Sequence, residues 1–201
     1  STLKNIADTV ETNEERNIDS MAIALADSAL MGARGNSGVI MAQFFQGMHE
    51  GLKGLSRATT KNFSDAVTLA NDSSWSAISK PVEGTILSVI RDWAKSIEEK
   101  SKKTDDFSEL FKESLEDAKV SLAHTPDQME MLKKAGVVDA GAQGFVTMLE
   151  GIYHFIESGR ISDIKRTGLS ETEDEALEPH LDEHAEDNIT FQFCTECLLV
   201  G

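Results

Sequence analysis

Apolar residues recur every three or four positions along almost the whole of this sequence, which is the period of one face of an α-helix. Six such stretches stand out, at residues 18–29, 39–48, 63–78, 86–97, 107–122 and 145–156. Each is amphipathic and so has a face to bury against its neighbours. The pattern predicts an all-α domain, a bundle or barrel of six or seven helices, with almost no strand before residue 165.

The carboxyl-terminal end departs from this period. Residues 171–187 contain nine acidic residues and neither lysine nor arginine, a composition typical of a solvated linker. Residues 188–194 then alternate polar and apolar side chains, which predicts a β-strand. Because one strand alone leaves its backbone groups unpaired, we predict a helical domain at 1–165, an acidic linker at 166–187 and, at 188–201, the first strand of an α+β middle domain missing from this chain.

Charge and hydropathy exclude several classes of function. The net charge of −16 argues against a sequence-independent nucleic-acid partner and against binding to an anionic membrane surface. The sequence contains no run of about 18 apolar residues, and its amino terminus has neither the basic nor the apolar part of a signal peptide. We therefore expect a cytoplasmic protein without a membrane span.

Three glycine-containing turns each lie directly before a predicted helix. Their sequences are GNSG at 35–38, EGT at 83–85 and DAGAQG at 139–144. A helix N-terminus carries unpaired N–H groups and a partial positive charge, so three such ends at one end of a bundle would form a phosphate cradle. Asn36 and Ser37 are residue types that cap the following helix. Glycines at ordinary helix boundaries would give the same pattern, so no single turn is specific.

Other candidate side chains are less specific. Arg34, beside the first turn, could stabilise a transferring phosphoryl group, and an ordinary surface arginine is the alternative. Cys194 and Cys197 form a CxxC pair, which fits half of a zinc site, a redox pair or two reduced cysteines. Neither the GxxxxGK[ST] signature nor a GxGxxG sequence after a strand is present, so a nucleotide would need another architecture.

Three segments carry a resemblance to a known family. They are GARGNSG at 32–38, KPVEGTIL at 80–87 and TPDQMEMLKKAGVVDAGAQG at 125–144. In this order they resemble the DhaL (DAK2) domain, and the resemblance covers roughly residues 1–160. The acidic linker followed by TFQFCTECLLVG resembles the join to the middle domain of the bacterial fatty acid kinase ATP-binding subunit. The dihydroxyacetone kinase L subunit lacks that join, so the resemblance favours the fatty acid kinase branch.

The resemblance implies an antiparallel helical barrel that binds ATP or ADP at one end, with magnesium bridging the phosphates. The nucleotide-binding residues that it implies are Gly35, Asn36, Ser37, Gly38, Gly84, Thr85, Asp139, Ala140 and Gly141. The family holds magnesium with a DGDTG-like aspartate motif upstream of GARGNSG, and no such motif occurs in this sequence. We therefore expect the chain to begin just after that motif and the metal ligands to lie before Ser1.

The function that the resemblance implies is phosphoryl transfer from ATP to the carboxylate of a fatty acid held by a DegV-like partner. Such chemistry depends on positioning the phosphates and neutralising their charge. One alternative is a dihydroxyacetone (glycerone) kinase L-type subunit. A second is a non-catalytic helical docking module that has lost its metal site. For the oligomeric state of this domain, we consider a homodimer.

Overall fold

A computed structural model of the chain describes residues 2–12 and 17–159. This part contains nine α-helices and no strand, which confirms the all-α prediction. The helices are α1 (Thr2–Thr12), α2 (Ile18–Gly32), α3 (Gly35–Leu52), α4 (Thr60–Ser76), α5 (Ile86–Lys100), α6 (Phe107–Ala123), α7 (Thr125–Gln128), α8 (Glu130–Ala135) and α9 (Ala140–Ser158). The predicted linker at 166–187, the predicted strand at 188–201 and the two cysteines lie outside the described residues.

Six of these helices correspond to the six predicted apolar stretches, although α4 ends at Ser76, before the predicted end at residue 78. The helices α1, α7 and α8 come in addition. The helices α7 and α8 are only four and six residues long. A segment of that length is too short to show a helical period, which explains why the sequence pattern did not predict them. None of the described helices is long and apolar enough to cross a membrane.

Each long helix packs against the next one along the chain, from α1 to α6, and α9 packs against α5 and α6. The contacts between α3 and α4 show that these two helices are antiparallel, because Gly47 faces Ala70 while Gly51 faces Ala66. A Cβ atom built on Gly47 would lie 2.5 Å from the Cα of Ala70. The two glycines therefore allow the backbones to approach more closely than any larger residue would permit.

An aromatic cluster at the centre of the bundle joins three helices. Trp93 of α5 is 2% exposed, and its ring centroid lies 6.3 Å from that of Phe44 in α3 and 5.6 Å from that of Phe145 in α9. The rings of Phe44 and Phe145 are 5.4 Å apart in an edge-to-face arrangement, a favourable geometry for aromatic pairs. The three helices that begin at the predicted turns are thus held to one another by their own core residues.

Candidate functional site

The first turns of α3, α5 and α9 meet at Gly141. A Cβ atom built on Gly141 would lie 2.9 Å from Oγ of Ser37 and 3.3 Å from Oδ1 of Asp139. It would also lie 3.5 Å from Cβ of Ile86, the residue that begins α5 directly after Thr85. The structure therefore brings residues of the first and third predicted turns close together. Both lie next to the start of α5, the helix that follows the second predicted turn.

The second turn is joined to the third through Thr125, which has no exposed surface. Gly84 has a φ of +79°, and a Cβ atom built there would lie 2.9 Å from the carbonyl oxygen of Thr125. The backbone N–H of Asp139 donates to Oγ1 of the same threonine at 3.1 Å. All three predicted turns therefore lie at one end of the bundle.

The N-termini of α5 and α9 are capped by their own side chains. Thr85 accepts a hydrogen bond from the N–H of Leu87 at 3.4 Å and donates to the carbonyl of Val82 at 2.7 Å. Oδ1 of Asp139 accepts the N–H of Ala142 at 2.8 Å. These two side chains satisfy part of the unpaired backbone at each helix start, which fixes where α5 and α9 begin.

The N-terminus of α3 has no such cap. Arg34 precedes it and makes no capping hydrogen bond, whereas side chains cap α2, α4, α5, α6 and α9 in the described part of the chain. The prediction that Asn36 or Ser37 caps this helix is wrong, because α3 already begins at Gly35 and both residues lie in its first turn. Gly35 takes a φ of +60°, which glycine adopts without strain. The helix therefore begins before Asn36 and Ser37, the two residues that were predicted to cap it.

The glycines at 35 and 38 have different surroundings. No atom lies within 4 Å of a Cβ built on Gly35. A Cβ on Gly38 would lie 3.1 Å from Oγ1 of Thr2 and 3.2 Å from the carbonyl carbon of Ala33. The missing side chain of Gly38 thus makes room for α1 and for the preceding backbone, and bulk at this position would disturb packing.

A polar network that sequence reasoning missed holds the second turn. Oγ of the fully buried Ser88 accepts the N–H of Gly84 at 2.9 Å and donates to Oε2 of Glu83 at 2.6 Å. Arg91 donates to the other oxygen of Glu83, and its guanidinium lies 5.5 Å from the ring centroid of Trp75. The hydrogen bond from Arg91, together with the weaker effect of that from Ser88, lowers the pKa of Glu83 below its ordinary value. The i,i+3 spacing places Ser88 and Arg91 on one face of α5, but it does not indicate Glu83 as their shared partner.

Two other predicted features can be placed. Arg34 is exposed, and its guanidinium donates to the carbonyl of Ala33 at 2.7 Å, so its role in phosphoryl transfer stays a prediction. Among the residues that the structure describes, no group of three or more His, Cys, Asp or Glu side chains is placed to hold a metal ion. The described residues therefore do not by themselves form a binding site for magnesium.

An apolar cavity lies in the core of the bundle, apart from the polar turns. Its volume is about 170 Å³, and its lining includes Phe44, Trp93 and Leu149. Transfer of a charged phosphate into such surroundings is strongly unfavourable. The helix N-termini are therefore the more favourable place for an anion.

Fold and site together define a class of protein: an all-helical domain that gathers the first turns of three helices at one end of its bundle. The model of the DAK2 domain matches residues 1–154, and the chain belongs to this family. Since the DAK2 family is associated with kinases, the chain is a kinase-related module.

Three staphylococcal proteins are similar to 94% of the chain. They are uncharacterized proteins of Staphylococcus saprophyticus, Staphylococcus haemolyticus and Staphylococcus aureus, which are 36%, 34% and 33% identical to it. The chain spans about a third of the length of these relatives, 34%, 34% and 35% in the same order. Because the relatives are uncharacterized, they specify neither a substrate nor a partner.

Proposed function

We propose that this domain transfers a phosphoryl group from ATP to the carboxylate of a fatty acid held by a DegV-like partner protein. The observation that carries the proposal is the meeting of three helix N-termini at Gly141, one of which, that of α3, has no side-chain cap. Uncapped N–H groups at a helix start bind phosphate oxygens well. Membership of the kinase-associated DAK2 family supports the same chemistry.

In this proposal the phosphates of ATP lie at the start of α3. The N–H groups of Asn36, Ser37 and Gly38 and the hydroxyl of Ser37 donate to them, while Arg34 stabilises the transferring group. Gly141, at the start of α9, has no side chain that would obstruct the hydroxyl of Ser37. Magnesium would neutralise phosphate charge. The described residues do not supply its ligands, and an aspartate motif of the kind that the family carries would hold it. Positioning and charge stabilisation of this kind are the main requirements of phosphoryl transfer.

The dihydroxyacetone kinase L-type subunit is the second candidate, and it shares the nucleotide site but differs in the acceptor. The acidic linker followed by TFQFCTECLLVG resembles the join in the fatty acid kinase subunit, and this resemblance favours that branch. The two are separated by incubating a polypeptide extended to include the aspartate motif with magnesium, ATP and a DegV-like protein loaded with oleic acid. Hydroxylamine is expected to trap the acyl phosphate as a hydroxamate. Phosphorylation of dihydroxyacetone on a K-type subunit, without hydroxamate, would favour the second candidate.

Ser37→Ala tests the phosphate site in the extended polypeptide. We expect the affinity for magnesium-ATP to fall by about 1–3 kcal/mol, because a hydrogen bond to a charged group is lost. The melting temperature without nucleotide is expected to stay unchanged, since Ser37 does not cap α3. Calorimetry and thermal unfolding measure the two effects, with the exposed Ser76→Ala as the control. Unchanged affinity combined with a lower melting temperature would make Ser37 a structural residue only.

The polypeptide of residues 1–201 tests the proposed origin of the metal ligands. We expect this polypeptide to bind magnesium-ATP poorly and to have no kinase activity, because the ions would lack carboxylate ligands. The extended polypeptide is expected to bind in a magnesium-dependent way. Calorimetry on both decides the question. Micromolar, magnesium-dependent binding by residues 1–201 would place the ligands inside this sequence instead.

A further inference from the structure

Thr125 lies between the second and third of the turns that form the candidate site. It is the first residue of α7, it is fully buried, and it lies against both the Gly84 turn and the start of α9. We infer that Thr125 is a positioning residue whose hydroxyl holds the N-terminus of α9 in place for ligand binding. This inference rests on the proposed function and extends it to a residue outside the predicted set.

The hydroxyl of Thr125 both donates and accepts a hydrogen bond. Oγ1 donates to the carbonyl of Leu122 at 2.8 Å and accepts the N–H of Asp139 at 3.1 Å. Because a hydroxyl both donates and accepts, this one atom joins the end of α6 to the residue that precedes α9. Neither an alanine nor a valine could replace it.

The position of Asp139 determines where α9 begins. Its carboxylate caps α9 through the N–H of Ala142, and Gly141 is the residue that approaches the hydroxyl of Ser37. A shift of Asp139 would therefore move the start of α9 away from α3. On its other side, the carbonyl oxygen of Thr125 lies against Gly84, so the same residue sets the position of the second turn as well.

Thr125→Val and Thr125→Ser, made in the extended polypeptide, separate a positioning role from a structural one. Valine keeps the shape but lacks the hydroxyl, and we expect it to weaken binding of magnesium-ATP at least tenfold. Serine keeps the hydroxyl, so the affinity of the Thr125→Ser variant for magnesium-ATP is expected to stay within about threefold of the original. Such a difference between the two variants would identify the hydrogen bond as the cause. Calorimetry gives both dissociation constants.

The matched control is Thr60→Val. Thr60 is 1% exposed, and its hydroxyl also bridges two segments, by donating to the carbonyl of Thr104 at 3.1 Å. It lies at the start of α4, at the opposite end of α3 from Gly35. We expect Thr60→Val to lower the melting temperature and to leave the ATP dissociation constant unchanged. Equal losses of ATP affinity in the two valine variants, or no loss in either, would overturn the inference.

Hydrogen exchange without nucleotide gives a readout that does not depend on ATP. We expect Thr125→Val to accelerate exchange of the Asp139 amide at least tenfold, whereas Thr125→Ser leaves its rate nearly unchanged. If the original protein fails to bind ATP, the proposed function fails while this measurement still tests the position of α9. An unchanged exchange rate at Asp139 in the valine variant would overturn the positioning role.

Discussion

Gly47→Val is expected to lower the free energy of unfolding by about 3 kcal/mol, a large share of the roughly 5–15 kcal/mol that stabilises a typical domain. A Cβ atom at this position would lie 2.5 Å from the Cα of Ala70 and 2.6 Å from the carbonyl oxygen of Leu69. Both are backbone atoms of α4 and have no rotamer by which to move aside. The two helices must therefore separate, and the core between them loses contact.

Gly151→Ala is the matched control for Gly47→Val. Gly151 lies inside α9, and no atom lies within 4 Å of a Cβ built on it. We expect this substitution to stabilise the protein by about 0.5–1 kcal/mol, since alanine favours the helix over glycine. Urea unfolding of both variants measures the difference. Similar stabilities in the two variants would show that α3 and α4 are not in close backbone contact.

Gly141→Val is expected to reduce the affinity of the extended polypeptide for magnesium-ATP at least a hundredfold, or about 2.7 kcal/mol. The new side chain would collide with the hydroxyl of Ser37, 2.9 Å from the built Cβ position. Either Ser37 or the first turn of α9 has to move, and in the proposed site both lie at the phosphates. Calorimetry with magnesium and ATP measures the loss.

Gly144→Val controls for the introduction of a β-branched residue near the start of the same helix. No atom lies within 4 Å of a Cβ built on Gly144, so we expect its ATP affinity to change less than threefold. Melting temperatures recorded without nucleotide show whether each variant folds. If a folded Gly141→Val protein bound ATP as tightly as the Gly144→Val protein, the phosphates would not lie at the meeting point of α3 and α9.

The six helices α2 to α6 and α9, and two of the three helix starts, could be predicted from local sequence. Thr85 and Asp139 are residue types that cap helices, and the structure has both of them as caps. The same reasoning failed at Ser37 because the left-handed backbone of Gly35 starts α3 before it. Capping preference describes side chains, whereas this helix start is set by a backbone conformation that glycine makes accessible.

The residues that hold the site together could not be predicted from sequence spacing. Thr125 reaches Asp139 across 14 positions, and the two helices between them, α7 and α8, are too short to leave a periodic pattern. Glu83 and Arg91 lie closer in sequence, but their pairing requires the turn at Gly84 to fold back onto α5. Such contacts depend on how distant segments pack against each other, and a local sequence pattern does not predict that packing.

The contact between Ser37 and Gly141 also determines when the site can exist. The two residues are about a hundred positions apart, and contacts of such separation form late because a long loop must close first. A chain that emerges amino end first from the ribosome can complete α3 and α5 well before α9 is synthesised. The nascent protein therefore has the earlier helices before it has the proposed phosphate site, and docking of α9 is the step that would complete that site.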